Sequence, residues 1–170
     1  MPRDKHYKTY VFRDLRIDSD DQEIDSFVLN QPAFRDARIV VARHNFGCGS
    51  SREGAVFTLS DAGFRSIIAT SFGDIFYNNS FNNGVLPVVL PADIIDGLHG
   101  QLAENPGAEI TVDLEAQNVI APDGTAHPFD IDPHRRHRLL NGLDAVGYTL
   151  QFQTDIEAFE AEYQNHVSWH

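Results

Sequence analysis

The chain has 170 residues and carries 13 Lys and Arg against 25 Asp and Glu, a formal net charge of −12 at pH 7. That length is typical of one domain. A negative field of this size repels phosphate backbones and anionic lipid surfaces, which argues against nucleic acid or a membrane as a partner. One cysteine, Cys48, excludes an internal disulfide framework and an iron–sulfur cluster held by about four thiolates of this chain.

The sequence contains no recognisable membrane span or secretory signal. The longest nearly apolar run covers residues 84–92, far short of the roughly 20 residues that cross a bilayer. Residues 1–18 alternate charged and aromatic side chains without an apolar core of the kind that signal peptides have. We therefore predict a cytoplasmic protein.

The first half of the chain alternates strand-like and helix-like segments. We expect a loosely ordered lead-in over residues 1–25, where no regular pattern is evident. The later segments are short β-branched runs and stretches with apolar residues at helical spacing. Strands are predicted at 37–42, 66–69 and 86–90, and helices at 52–62, 72–83 and 92–104. Gly63 and Gly84 are placed to end the first two helices.

This order predicts right-handed crossovers between strands and a sheet that is at least partly parallel. Further strands are predicted at 109–114, 118–121 and 127–129, around a Pro-Asp-Gly turn at 122–124. Two or three short helices are predicted between residues 133 and 164. We find no internal repeat or linker, and we predict a single α/β domain over residues 1–170.

The loop GCGSSRE at residues 47–53 lies between a predicted strand and a predicted helix. Glycines allow a backbone to approach a ligand closely, and the first N–H groups of a helix lack internal partners and attract anions. Ser50 and Ser51 add hydroxyl groups, and Arg52 adds a planar guanidinium that can bind a carboxylate or phosphate through two hydrogen bonds. The loop therefore predicts an oxyanion site.

Three familiar phosphate or acyl motifs do not match this loop. A P-loop would need Lys before the hydroxyl residue, and the dinucleotide fingerprint would need Gly where Arg52 stands. The nucleophile elbow GxSxG fails because Ser50 directly follows Gly49. A carboxylate is therefore the favoured anion.

Simpler interpretations exist for each candidate residue. A Ser at a helix start is most often an N-cap, and Cys48 has no recognisable base beside it, which favours a small loop residue over a nucleophile. His134 and His137 have the spacing of metal ligands on one helix face. The arginines around them instead indicate a solvated basic face.

Several ordered blocks of the sequence resemble one enzyme family. The blocks are FVLNQPAF at 27–34, NFGCGSSRE at 45–53, GFR at 63–65, SFGDIFYNNSFNNGVLPVVL at 71–90 and LLNGLDAVGYTL at 139–150. Together they resemble the small subunit of 3-isopropylmalate dehydratase, and the GSSRE loop is similar to that of the aconitase swivelling domain. The resemblance covers most of the chain from Phe27 onward.

The resemblance implies a swivelling β/β/α domain, an α/β fold with a partly parallel sheet flanked by helices. Such a domain closes over a large subunit that holds a [4Fe–4S] cluster with one open iron, so this chain binds no cofactor or metal itself. The implied enzyme is a hydro-lyase that is active only with the large subunit, as a heterodimer. It isomerises 2-isopropylmalate to 3-isopropylmalate by dehydration and rehydration in leucine biosynthesis. The resemblance leaves room for self-association of the isolated subunit.

The family's residue roles are carried onto the matching positions. By resemblance, Ser50 is the base that removes and later returns the proton next to a carboxylate, and Arg52 clamps a substrate carboxylate. Gly49 and Ser51 are assigned to substrate binding. A serine alkoxide needs stabilisation by loop amides and nearby cations, which agrees with the anion site predicted from the loop itself.

Two departures from the family pattern keep alternatives open. Family members usually carry an N-terminal segment with an Asp-Thr-Asp…Ile-Pro motif, which we expect to be missing here, and Gly54 stands where His is common. One alternative is a small subunit acting on another hydroxy-diacid, of the citramalate, dimethylmalate or homocitrate type. The other is an inactive, N-terminally truncated subunit.

Overall fold

A three-stranded parallel sheet lies at the centre of the fold. In the computed structural model, which describes residues 7–166, strands β1 (Ile39–Val41), β2 (Ser66–Ala69) and β3 (Leu86–Val89) lie in the order β1-β2-β3. The middle strand is buried along its whole length, which explains its continuous run of apolar residues without alternation. The predicted parallel sheet is confirmed, and its outer two strands are shorter than predicted.

Helices connect and flank these strands. They are α1 (Arg13–Arg16), α2 (Gly54–Asp61), α3 (Asp74–Asn82), α4 (Ala92–Glu104), α5 (Pro133–Leu140), α6 (Ala145–Leu150) and α7 (Gln153–His166). Helix α2 connects β1 to β2, and α3 connects β2 to β3, as the strand and helix pattern predicts. None of the helices in residues 7–166 is both long and apolar enough to cross a membrane.

Glycines end α2 and α3 as predicted. Gly63 has a φ of +102°, donates its N–H to the Ser60 carbonyl at 3.1 Å, and is followed by Phe64, whose N–H bonds the Leu59 carbonyl at 3.0 Å. This pair of bonds is the Schellman ending, which needs the left-handed backbone that glycine adopts without steric cost. Gly84, with a φ of +68°, ends α3 in the same way.

A second, smaller sheet is antiparallel. It consists of β4 (Thr111–Asp113), β5 (Asn118–Ile120) and β6 (Ala126–Pro128), in the order β4-β5-β6. The three strands predicted in this region are confirmed: β4 and β5 are shorter than predicted, and β6 has the predicted length but begins one residue earlier. Gly124, with a φ of +85°, lies in the turn that joins β5 to β6, where the Pro-Asp-Gly pattern predicted a turn.

The buried side chains form two clusters on different sides of the parallel sheet. The first joins β2, β3 and α4 to the second sheet and includes Val88, Leu98 and Val119. The second joins the parallel sheet to α2 and α3, and includes Val56 and Phe76, with Phe46 and Phe72 packed against it. The second cluster is therefore continuous with the loop that follows β1.

Residues 7–25 carry short but definite elements rather than the loose lead-in that we expected for this stretch. A 3-10 helix at Tyr7–Tyr10 precedes α1, and an isolated bridge pairs Ile17 with Glu23. Val11 is buried, and the Tyr7 ring meets the Phe57 ring of α2 edge-on at 5.5 Å. These contacts anchor the segment to α2. Residues 1–6 of the predicted lead-in lie outside the described residues, and the single domain over 1–170 stays a prediction.

Helix α5 does not present the solvated basic face that its sequence suggests. The guanidinium of Arg135 lies 4.6 Å from the centre of the Phe81 ring and donates to Asn78 Oδ1 at 2.8 Å. Arg136 donates to the Leu114 carbonyl at 3.1 Å. That interpretation was wrong because the arginines are partly buried and bind groups on α3 and beside β4. The basic residues of α5 therefore hold the C-terminal helices to the fold.

Candidate functional site

The loop that carries the predicted site residues leaves β1 at its carboxyl end and enters α2. Residues 70–73 leave the neighbouring strand β2 at the same edge, because the two strands are parallel. Ligands of open α/β sheets bind outside the carboxyl ends of the strands. The structure thus places the predicted anion loop where this type of sheet provides a site.

The segments that follow β1 and β2 are hydrogen-bonded to each other. Phe46 and Phe72 form a parallel bridge: the Phe46 N–H donates to the Ser71 carbonyl at 3.0 Å, and the Gly73 N–H donates to the Phe46 carbonyl at 2.9 Å. The Asn45 N–H donates to Ser71 Oγ at 2.8 Å. The base of the loop is therefore fixed by the segment that begins α3.

Two glycines are required for this contact, and a third is not. Gly47 has a φ of +74°, and a Cβ on it would lie 2.3 Å from Phe76 Cγ. A Cβ on Gly73 would lie 2.7 Å from Cys48 Cα. A Cβ on Gly49 would meet nothing within 4 Å, so the space beside Gly49 is open to a ligand.

The four predicted site residues form one continuous bend at the surface. Gly49, Ser51 and Arg52 are exposed and Ser50 is partly buried. The Ser50 N–H donates to the Gly47 carbonyl at 3.0 Å, and the Ser50 hydroxyl donates to the Arg52 carbonyl at 2.9 Å. The bend is accessible from outside the chain, as a site that is completed by a partner requires.

Neither serine caps helix α2. The N-cap residue is Glu53, and no side chain makes a capping hydrogen bond there, so the interpretation of a serine as the helix cap is wrong. The N–H groups of Gly54 and Ala55 find no acceptor among the described residues. Those unpaired donors carry the partial positive charge of the helix start, and Glu53 alone separates them from Arg52 in the sequence.

Arg52 adds a full positive charge to this helix start. Its guanidinium makes no ion pair with any acidic residue in the described part of the chain. An exposed, unpaired Arg next to free N–H donors is an arrangement that binds a carboxylate. The anion site predicted from the loop therefore has suitable chemistry in the structure.

The histidines of α5 contact Tyr148 of α6. His134 Nδ1 lies 2.9 Å from the Tyr148 hydroxyl, and the His137 ring lies 6.2 Å from the Tyr148 ring, edge-on. Within residues 7–166, no group of three or more His, Cys, Asp or Glu side chains is placed to hold a metal ion. The two histidines instead contribute to the packing of α5 on α6.

Two positions that contact the loop were not predicted from the sequence. Ser71 and Gly73 follow β2 and lie against the loop, and Ser71 bonds Asn45, 26 positions earlier in the chain. The predicted parallel strand order could have indicated this contact, because the carboxyl ends of neighbouring parallel strands lie side by side.

Family models match most of the chain. The model described as the aconitase C-terminal domain matches residues 5–93, and the one described as LeuD_N matches residues 98–133. The first spans the parallel sheet and the whole loop region, and the second spans the antiparallel sheet.

Relatives that align with most of the chain show which family it belongs to. The small subunit of 3-isopropylmalate dehydratase from Parvibaculum lavamentivorans is 51% identical over 159 residues, which cover 94% of this chain and 79% of the relative. The small subunits of Cereibacter sphaeroides and Paracoccus denitrificans are 50% and 48% identical over the same shares. The chain belongs to the 3-isopropylmalate dehydratase small-subunit family. The predicted family is confirmed.

A solved structure agrees with this family. The crystal structure of 3-isopropylmalate dehydratase (leuD) from Methanocaldococcus jannaschii is similar to this chain with a TM-score of 0.54 and 30% identity. The match covers 72% of this chain and 68% of that chain. The predicted fold class is confirmed.

The small-subunit family is that of a hydro-lyase, which confirms the predicted enzyme class and implies a large-subunit partner. A subunit for another hydroxy-diacid and an inactive subunit, the two alternatives from the sequence, are not favoured, because the relatives described here all carry one name.

Proposed function

We propose that this chain, with a large subunit, isomerises 2-isopropylmalate to 3-isopropylmalate, and that the bend at residues 49–52 carries its part of the active site. The observation that carries the proposal is the exposed bend at the carboxyl edge of the sheet, with Ser50 and Arg52 in one turn. The relatives that are about 50% identical to this chain are named as small subunits of that enzyme.

Ser50 acts as the base in this proposal. Its deprotonated oxygen takes the proton from the carbon next to a substrate carboxylate while the hydroxide leaves, which gives the alkene. The same proton returns to the carbon skeleton when water adds in the opposite sense. The free N–H groups of Gly54 and Ala55 and the charge of Arg52 follow Ser50 closely in the sequence, and in this proposal they supply the electrostatic stabilisation that a serine anion requires.

Arg52 binds a substrate carboxylate. Its guanidinium can make two parallel hydrogen bonds to such a group, which fixes both the position and the orientation of the diacid. Gly49 and Ser51 bind the substrate beside it, Gly49 by leaving open space and Ser51 by its exposed hydroxyl. Correct placement of the reacting carbon near Ser50 then contributes a large part of the rate.

The large subunit completes the site. A [4Fe–4S] cluster on that subunit would act as a Lewis acid on the substrate's hydroxyl and carboxylate oxygens. Cys48 is this chain's single cysteine, so the thiolates that hold such a cluster belong to the partner. The exposed bend faces outward, and closure of the two subunits would exclude water from the substrate.

The remaining assignments rest on composition and surface. We propose a cytoplasmic heterodimer that binds neither nucleic acid nor membranes, since the net charge of −12 repels both. Self-association of the isolated chain is supported by exposed apolar side chains on α6, on α7 and in the turn between them, namely Val146, Leu150, Phe152, Phe159 and Tyr163. Sedimentation with and without the large subunit tests this, because heterodimer formation should replace any homodimer.

The test of the proposed function is reconstitution. The chain is co-purified with the cluster-bearing large subunit under anaerobic conditions and assayed with 2-isopropylmalate, citramalate, 2,3-dimethylmalate and homocitrate. We expect the highest kcat/KM with 2-isopropylmalate, and no turnover by either subunit alone. A higher kcat/KM with another diacid would show that 2-isopropylmalate is not the preferred substrate. Absence of turnover with all four diacids would overturn the assignment as an enzyme subunit.

A further inference from the structure

We propose that Ser71 and Gly73, which follow β2, are positioning residues that hold the main chain of the catalytic bend in place. The inference rests on the proposed function of Ser50 and Arg52 and assigns a role to residues outside the bend. Their polar atoms are already bonded to the loop, so they act through it rather than on the substrate.

Ser71 fixes the residue at which the loop turns. Its Oγ accepts the Asn45 N–H at 2.8 Å and donates to Asn45 Oδ1 at 3.4 Å, while its carbonyl accepts the Phe46 N–H at 3.0 Å. Asn45 has a φ of +54°, in the left-handed region that Asn tolerates better than most residues other than glycine. The bonds from Ser71 hold Asn45 in this conformation and keep the loop in this turn.

Gly73 fixes the next part of the loop by close contact. Besides donating to the Phe46 carbonyl, it leaves room for Cys48, whose Cα would be 2.7 Å from a Cβ at position 73. The Gly47 carbonyl oxygen would be only 3.2 Å away. These are main-chain atoms, which cannot rotate aside as the end of a side chain can. A methyl group at position 73 must therefore displace Gly47 and Cys48.

A displacement of Gly47 reaches Ser50 directly. The Gly47 carbonyl accepts the Ser50 N–H at 3.0 Å, and Gly49 between them would have no neighbour within 4 Å of a Cβ. The Ser50 hydroxyl bonds the Arg52 carbonyl of the same bend, so a shift of Gly47 moves Ser50 and its Oγ together with the bend. Misplacement of a reacting group by about 1 Å costs roughly a hundredfold in rate.

The test compares variants of the chain reconstituted with a saturating amount of the large subunit. Ser71→Ala removes the hydroxyl, Ser71→Thr keeps one, and Gly73→Ala adds the obstructing methyl group. Ser66→Ala is the matched control, because Ser66 lies in β2 and donates to the Leu86 carbonyl at 2.9 Å, away from the loop. We expect kcat to fall about tenfold in Ser71→Ala and about a hundredfold in Gly73→Ala, with smaller changes in KM. Ser71→Thr should restore most of kcat, and Ser66→Ala should leave kcat unchanged.

A second readout needs no partner and no substrate. In the isolated subunit, amide hydrogen exchange at Asn45, Phe46 and Ser50 should become faster in Ser71→Ala, while exchange in β2 stays at the wild-type rate. Wild-type kcat in both Ser71→Ala and Gly73→Ala would overturn the inference, as would an equal loss of kcat in Ser66→Ala. If Ser50→Ala is inactive while Ser71→Ala and Gly73→Ala are both fully active, the positioning role alone is wrong. If Ser50→Ala remains active, the proposed function of the bend is wrong.

Discussion

The Ser50 hydroxyl donates a hydrogen bond to the main-chain carbonyl of Arg52 across 2.9 Å. The proposed base and the proposed carboxylate clamp are thus joined in one turn, and the hydroxyl proton of Ser50 points at the chain's own backbone. A serine anion would be repelled by that carbonyl oxygen, so the Ser50 side chain must turn away from it when the substrate binds. Residues that shape this turn therefore affect both groups together.

Arg52→Lys tests the clamp. Lysine keeps the positive charge but loses the planar fork that binds a carboxylate through two hydrogen bonds. We expect KM to rise by about 10- to 100-fold, which corresponds to roughly 1.4–2.8 kcal/mol, with a smaller change in kcat. Steady-state kinetics of the reconstituted enzyme measure both constants. An unchanged KM would show that Arg52 does not bind the substrate.

Gly47→Ala tests the packing beneath the bend. The new Cβ would lie 2.3 Å from Phe76 Cγ at a φ of +74°, so both steric overlap and backbone strain oppose it. We expect the free energy of unfolding to fall by about 2–4 kcal/mol. Gly49→Ala is the matched control, since its Cβ meets nothing within 4 Å, and it should cost less than about 1 kcal/mol. Urea unfolding of the isolated subunit measures both, and equal losses would contradict this packing.

His99 on α4 gives a pH dependence of stability. Burial, with a smaller contribution from the positive charge of Arg43, lowers the pKa of His99 below its ordinary value of 6.5, and Asp96 opposes this shift. Its Nε2 is shielded from solvent and has no hydrogen-bond partner within the described residues. The unfolded chain therefore binds a proton at His99 at a higher pH than the folded chain does. The contribution of neutral His99 to the free energy of unfolding is present above about pH 6.5 and is lost as the pH falls through the lowered pKa of the folded state.

His99→Gln removes this titration. Between about pH 7.5 and about pH 5.5, we expect the free energy of unfolding of the wild type to fall more steeply than that of His99→Gln, since the remaining groups titrate in both. Urea unfolding at several pH values gives the two slopes. Parallel slopes would show that the pKa of His99 is the same in the folded and unfolded chains.

Arg135→Gln tests the attachment of α5. The variant loses the contact of the guanidinium with the Phe81 ring and the hydrogen bond to Asn78. We expect a loss of about 1–2 kcal/mol in the free energy of unfolding. Arg13→Gln, which removes an exposed ion pair with Asp21, should cost less. Thermal or urea unfolding compares the two, and an equal effect would show that Arg135 behaves as an ordinary surface charge.

The parallel sheet and the candidate bend could be predicted from the sequence because their signals are local. The β-branched run of β2 and the glycines at 63 and 84 each specify structure within a few residues. The GCGSSRE loop carries its glycines, hydroxyls and Arg in one segment, so its chemistry was evident before its geometry.

Contacts between distant segments could not be predicted in this way. The arginines of α5 were interpreted as a solvated face because the aromatic ring under Arg135 belongs to α3, far earlier in the chain. The packing of Tyr7 on Phe57 likewise depends on tertiary structure rather than on any pattern in residues 1–25. The contact of Ser71 and Gly73 with the loop could have been inferred from the parallel strand order, but the distances in that contact could not.

Replacement of Ser50 tests the central claim most directly. Ser50→Ala removes the proposed base together with one partly exposed hydrogen bond, so the isolated subunit should lose no more than about 1 kcal/mol of stability. Ser60→Ala is the matched control, a serine of α2 whose hydroxyl bonds the Asn83 carbonyl at 3.4 Å. With the large subunit bound under anaerobic conditions, we expect Ser50→Ala to lose turnover of 2-isopropylmalate and Ser60→Ala to retain it. Wild-type turnover by Ser50→Ala would contradict the account.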